Sequence, residues 1–176
     1  SGMAEFVQGA LKRLAGRSQQ AVFELRQAMG GGKTHNMIAL GLLARFPELR
    51  EQLPDAITAG MSEEPAVIAT VNGRDVRNFI WGDIAEQLGR ADDFRDHWVN
   101  GPKEMSEGDW IRLIGERPTL IMLDELPPYL AMAHTKTIGQ GTLLDLLKYS
   151  IANLFSAAMK LKRCVVVVAS LDAAYD

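Results

Sequence analysis

Three consecutive glycines, Gly30, Gly31 and Gly32, stand between an apolar run of strand type and one of helix type. "AVFEL", from Ala21 to Leu25, reads as a short strand. From Thr34 the apolar positions Met37, Ile38, Leu40, Leu42 and Ala44 recur at helical spacing to about Phe46, and Pro47 marks the end. Glycines open backbone conformations closed to other residues, so this run reads as a tight strand-to-helix turn. A helix that follows a strand is the usual crossover to a parallel neighbour, and the chain supplies three candidates. "PAVIATVN" (Pro65 to Asn72) is apolar enough for burial on both faces, "PTLIMLDE" (Pro118 to Glu125) ends in two carboxylates, and "CVVVVAS" (Cys164 to Ser170) is β-branched throughout its centre. Strands alternating with helices predict an α/β fold with a mainly parallel sheet flanked by helices. Right-handed crossovers bring the carboxyl ends of such strands to one edge, where ligands bind.

The connecting segments are read more coarsely. Glu5 to Leu14 carries a helical apolar stripe, and Ser1-Gly2 ahead of Met3 reads as a cloning scar. The expected division is therefore residues 1–20 as scar and N-terminal helix, and 21–176 as the core. A helix is expected around Trp81 to Leu88, a solvated surface segment over 91–104, and a capping box at Ser106 and Asp109 opening a helix through Ile114. Pro127-Pro128 is expected to prevent regular helix at that point, 131–141 to form a mobile polar loop, and Thr142 to Lys162 to form a long helix. Trp81, Trp98 and Trp110 read as core anchors, and His97 and His134 as surface residues. The one cysteine, Cys164, excludes an internal disulfide or a multi-cysteine metal site and reads as a buried, inert thiol. A net charge of −3 gives no global basic signature for nonspecific nucleic-acid binding. No apolar run approaches a membrane span and no secretory leader is visible, so a cytoplasmic protein is expected.

The glycine turn continues into Lys33 and Thr34, close to the phosphate-loop pattern G-x-x-x-x-G-K-[ST], with Gln27 where that pattern has its first glycine. Such a loop works because successive backbone N–H groups and the positive end of a helix converge on an anion. Lys33 is then the group reaching the β and γ phosphates, and the Thr34 hydroxyl a ligand of Mg²⁺. A distant carboxylate is the independent requirement. Asp124 follows four consecutive apolar residues, as a Walker B aspartate does, and is the second metal-site candidate; Glu125 is the candidate base that polarises water. In the P-loop division with a strand inserted between those of the phosphate loop and the Walker B aspartate, the inserted strand often ends in a polar γ-phosphate sensor; the order here is similar, so Ser170 reads either as that sensor or as a simple strand-terminating serine. His35 adjoins Thr34 and reads as a packing or supporting residue. Asn72 reads either as a rim residue or as a turn former, and Arg74 and Arg77 as interface arginines.

"MGGGKTH", "LIMLDELPPYL" and "CVVVVASLDAAYD" together resemble the ATPase region of an uncharacterised prokaryotic family of AAA+-type ATPases related to defence-associated, BREX-like ATPases. The resemblance implies a three-layer P-loop NTPase sandwich of the additional-strand class, with the lid absent from this chain. It implies a nucleotide-binding stretch over Met29, Gly30, Gly31, Gly32, Lys33, Thr34 and His35, with ATP and Mg²⁺ as cofactors. It implies ATP hydrolysis with Glu125, Lys33 and Ser170 as catalytic residues, and Thr34 and Asp124 at the metal. Implied partners are a nucleotide, the remainder of a larger polypeptide, a homo-oligomer, and DNA or defence-complex proteins, with no membrane. Two alternatives stand beside the ATPase: a nucleotide-dependent scaffold or switch with negligible turnover, and a DNA helicase or translocase core.

Overall fold

The computed structural model describes residues 2–26, 31–58 and 64–170. Helix α1 (Gly2–Leu14) leads to strand β1 (Val22–Arg26) and helix α2 (Gly31–Arg45). A 3₁₀ segment (Pro47–Gln52) and the short α3 (Asp55–Thr58) precede strand β2 (Val67–Asn72) and helix α4 (Phe79–Gln87). A second 3₁₀ segment (Ala91–His97), helix α5 (Glu107–Ile114), strand β3 (Thr119–Asp124) and helix α6 (Leu126–Ala133) follow. A two-residue ladder, β4 (Thr137–Ile138) with β5 (Gly141–Thr142), opens into the long α7 (Leu143–Lys160) and then β6 (Cys164–Ser170).

The main sheet is wholly parallel, in the order β1-β6-β3-β2. The last strand in sequence is thus inserted between the first and the third, as expected for Cys164 to Ser170. Period-two alternation sends its side chains to opposite faces. Val165 and Val167 join α1 and α2 in one core, and Val166 joins α4 to α7 in the other. Both faces are therefore covered, which is why "CVVVV" is apolar without interruption. β2 departs from this expectation. It is an edge strand, and Ile68 and Thr70 on one face remain partly or fully exposed. The open edge is closed locally by Gln87, whose side-chain amide exchanges two 2.8 Å hydrogen bonds with the backbone of Thr70.

Three connecting segments differ from expectation. Residues 91–104 are not a solvated run: Phe94, His97 and Trp98 turn inward, and the Trp81 indole donates to the His97 carbonyl at 2.8 Å. His97 is accordingly buried, its Nδ1 3.2 Å from the Glu104 carbonyl, whereas His134 is exposed as expected. Pro127 and Pro128 do not stop a helix but lie in the first turn of α6, where an N–H has no intrahelical acceptor to lose. Residues 131–141 contain the end of that helix and most of the β4–β5 ladder rather than an unstructured loop. The Ser106–Asp109 capping box is present, and Thr142 with Asp145 forms another. All three tryptophans are buried, and Trp110 donates to the Ser150 carbonyl of α7 at 2.8 Å. Burial pushes the Cys164 thiol up to about 12, so it stays protonated and inert.

Two buried arginines finish helices. Arg50 donates to the carbonyls of Leu43 (2.7 Å) and Ala44 (3.2 Å) at the end of α2. Arg13, on α1, donates to the Ser18 carbonyl at 2.9 Å and, at the end of α7, to the carbonyls of Ala158 at 2.8 Å and Leu161. A cation is favoured where unpaired carbonyls collect, and removing it strands several buried acceptors at once. Arg13→Met is expected to lower unfolding free energy by about 3 kcal/mol. Urea unfolding followed by tryptophan fluorescence measures this, with Arg17→Met, an exposed neighbour, expected to change it little.

Candidate functional site

The four parallel strands deliver their carboxyl ends to one rim. Asn72 lies beside Asp124 in the β2–β3 register, and Arg26 beside Ser170 in the β1–β6 register. Helix α2 begins at Gly31, three residues ahead of the expected start, so Lys33 and Thr34 fall within its first turn. The first four N–H groups of a helix have no intrahelical partner, which makes this end of α2 an anion-attracting position. Gly32, Thr34 and His35 are exposed there; His35 is not packed. Gln27, Met29 and Gly30 lie outside the described residues, as do the side chains of Gly31, Lys33 and Ser170.

A cavity of about 490 Å³ opens between α2 and the uncovered face of β2. Its polar end is formed by Thr34, Asn72 and Asp124, and its apolar wall includes Met37, Leu42, Ile68 and Met122. Residues 90 positions apart in sequence, Thr34 and Asp124, thus face one space. One hydroxyl and one carboxylate are hard oxygen donors of the kind Mg²⁺ takes, a cation that draws most of its remaining ligands from phosphates and water. No group of three or more His, Cys, Asp or Glu side chains able to hold a metal occurs among the described residues, so an all-protein cage is not available there.

Glu125 is placed differently from Asp124. It is the N-cap of α6 and one of two non-glycine residues with positive φ among those described, at φ 55° and ψ 37°. Its amide donates to Asp124 Oδ1 at 2.9 Å, which ties the two acids together in a fixed relation. Its carboxylate is 27% exposed and lies 3.5 Å from Arg74 Nε. Left-handed backbone at such a residue costs on the order of 1–3 kcal/mol and persists only where surroundings enforce it. Here the enforcement comes from β2. Gly73 donates to the Asp124 carbonyl at 2.8 Å, and a Cβ on Gly73 would lie 1.9 Å from the Glu125 carbonyl oxygen. Asn72 accepts the Arg74 amide at 2.9 Å, so it both forms the turn and lines the cavity.

Gly73 and Arg74 are the site residues that sequence reasoning missed in their present role. Gly73 reads as a strand breaker and Arg74 as an interface arginine, whereas both bear on Glu125 across strands separated by more than 40 residues. The available signal was weak: a glycine immediately after a strand whose neighbour ends in Asp-Glu.

No protein-family model matches the chain, and no curated protein matches it. What the structure defines is an α/β protein with a four-stranded parallel sheet flanked by helices, one face of the edge strand β2 being left partly uncovered. No helix among the described residues is long and apolar enough to cross a membrane.

The crowding at Gly73 is directly testable. Gly73→Ala is expected to destabilise by about 2 kcal/mol, because backbone rather than a flexible side chain must give way. Gly108→Ala, where an added Cβ would meet only side-chain atoms, of Arg112 at 3.6 Å and Ser106 at 3.8 Å, is expected to be neutral or slightly stabilising in the same urea titration.

Proposed function

We propose that the chain is a P-loop ATPase core of the AAA+, additional-strand class, binding ATP with Mg²⁺ and hydrolysing it at the rim. The observation that carries this reading is the convergence of Thr34 and Asp124 on one cavity, with β6 inserted between their strands. A glycine-rich turn alone would not require a carboxylate from a non-adjacent strand to meet it.

In this reading the N–H groups at the start of α2 hold the phosphates, and Lys33 offsets their charge. Thr34 and Asp124 hold the cation, which supplies further neutralisation of phosphate charge when bound. Glu125 accepts a proton from the attacking water, while its backbone, fixed by Gly73 and Asp124, keeps that carboxylate at the rim. Ser170 ends the strand beside β1 and is the proposed γ-phosphate sensor. The work driven by hydrolysis, remodelling of a defence or DNA complex within a longer cytoplasmic polypeptide, rests on the family resemblance alone.

Lys33→Ala is expected to abolish measurable ATP affinity, whereas Glu125→Gln is expected to retain ATP binding and lose turnover. Isothermal titration and phosphate release read the two effects separately. Normal hydrolysis by Glu125→Gln would remove Glu125 from the base role.

One contact bears on the second reading, a nucleotide-dependent switch with negligible turnover, although its size is too small to carry it. The Glu125 carboxylate lies 3.5 Å from Arg74 Nε, and an ion-paired side chain is less free to turn toward an attacking water. The pair is partly solvated, so its restraint is small, of the order of 0.5–1 kcal/mol. Arg74→Ala is therefore expected to raise the rate of ATP turnover about threefold, read by phosphate release at saturating ATP.

A further inference from the structure

An edge strand presents a row of backbone N–H and C=O groups that invites another strand. In β2, Val67 and Gly73 donate toward β3, to the carbonyls of Pro118 and Asp124, both at 2.8 Å. Period-two alternation therefore turns the backbone of Ile68, Thr70 and Asn72 to the open edge. The Asn72 carbonyl is used there by the Asp75 amide at 2.9 Å. Thr70 is closed differently, by a side chain from α4. Gln87 Oε1 accepts its N–H and Gln87 Nε2 donates to its carbonyl, each at 2.8 Å.

A carboxamide carries the same donor and acceptor as a peptide group. Facing residues of an antiparallel pair exchange both N–H···O bonds, so Gln87 holds Thr70 as the facing residue of an added strand would. A 3.2 Å bond from Nε2 to the Asp83 carbonyl fixes the amide further. Both Gln87 and Thr70 are exposed, and water would serve Thr70 in place of the side chain. The exchange therefore contributes little net stability, while immobilising a long side chain has an entropic cost. What the contact achieves is the exclusion of another strand.

A second copy of β2 is the strand that matches this edge. With a two-fold axis through Ala69, Ile68 of each copy faces Thr70 of the other, and each facing pair exchanges both backbone bonds. The groups used at Thr70 are the ones that Gln87 occupies. Apolar surface favours the same partner. Ile38 and Leu42, 55% and 47% exposed, line one cavity with Ile68 and Gln87, and pairing would extend that patch across the axis. Charge works the other way. Beyond the edge Asp75, Asp83 and Glu86 outnumber Arg77, so two copies bring like charge together and pair more weakly at low salt.

We propose that Gln87 is an autoinhibitory contact: it occupies the Thr70 backbone as a paired strand would, and so keeps β2 from joining the β2 edge of a second copy. The inference is independent of the ATPase reading, since it uses no nucleotide chemistry and its test measures association alone.

The test compares the full chain with Gln87→Ala and Gln87→Met by sedimentation velocity, over a range of protein concentrations in low and high salt. Alanine and methionine suit a helix as well as glutamine does, so circular dichroism and the urea midpoint are expected to stay near those of the parent. The parent is expected to sediment as a monomer. Both variants are expected to form reversible dimers at least about tenfold more tightly than the parent, and more so in high salt. Adding Thr70→Pro to Gln87→Ala is expected to restore the monomer, because that N–H serves only the edge and proline is tolerated there. Adding Ile68→Lys instead, which places a charge on the edge, is expected to do the same. The proposal is overturned if either Gln87 variant remains monomeric in high salt, or if the parent associates as tightly. It is also overturned if association survives Ile68→Lys, or survives Thr70→Pro in a variant whose circular dichroism matches the parent.

Discussion

The position of β6 is the constraint on which the rest of the structure depends. Adjacent strands lie about 4.8 Å apart, so inserting one strand between β1 and β3 sets their carboxyl ends roughly 10 Å apart. Side by side, the start of α2 and the Asp124 carboxylate would crowd each other. Separated by two further strands, they could not act on one small ligand. The single insertion leaves the two ends apart by that width, and the chain reaches the inserted position through the α7 crossover. The long helix and the uniformly apolar β6 are therefore part of the site's geometry, although neither lines the cavity.

A gap of fixed width is useful only if the elements at its border do not drift. Each border element is anchored at a distance from the rim. Arg50 ties down the far end of α2, and Arg13 joins α1 to the end of α7, just before β6 begins. On the opposite border, β3 ends in a backbone forced into the left-handed region by contact with Gly73. At this border the left-handed backbone is limited to Glu125, and regular parallel pairing continues up to the residue before it. This is the distribution expected where a scaffold is rigid and one residue is held away from its preferred conformation.

The legible part of this fold was the part governed by period and by local chemistry. Four strands, the capping box at Ser106, the helix after the glycines and the buried tryptophans each follow from residues close in sequence. The errors share a physical origin. Residues 91–104 carry Asp92, Asp93, Arg95 and Asp96, so composition points to solvent. Yet three inward-facing rings, Phe94, His97 and Trp98, decide the outcome because one face of a short helical segment is enough to bury it. Pro127-Pro128 reads as a helix breaker only when the cost of proline in a helix interior is applied to a helix start, where that cost vanishes. β2 reads as buried on both faces because apolar content does not report strand order, and an edge strand can be nearly as apolar as a central one. For the site, the Thr34 and Asp124 positions were readable as motifs. Gly73 and Arg74 were not, since their importance arises from a contact made by tertiary packing.

That contact also sets how the segment after β2 and the start of α6 are joined. The segment is short and makes two sets of contacts in succession: Asn72 faces the rim cavity, and Gly73 and Arg74 bear on Glu125. α6 begins at Glu125, and its Leu126, Tyr129 and Ala133 are buried in the core shared with α4 and α7. One end of α6 is thus fixed by the turn after β2 and its inner face by the core. Backbone this tightly packed has little room for independent adjustment, because a Cβ added at Gly73 would lie 1.9 Å from the Glu125 carbonyl oxygen.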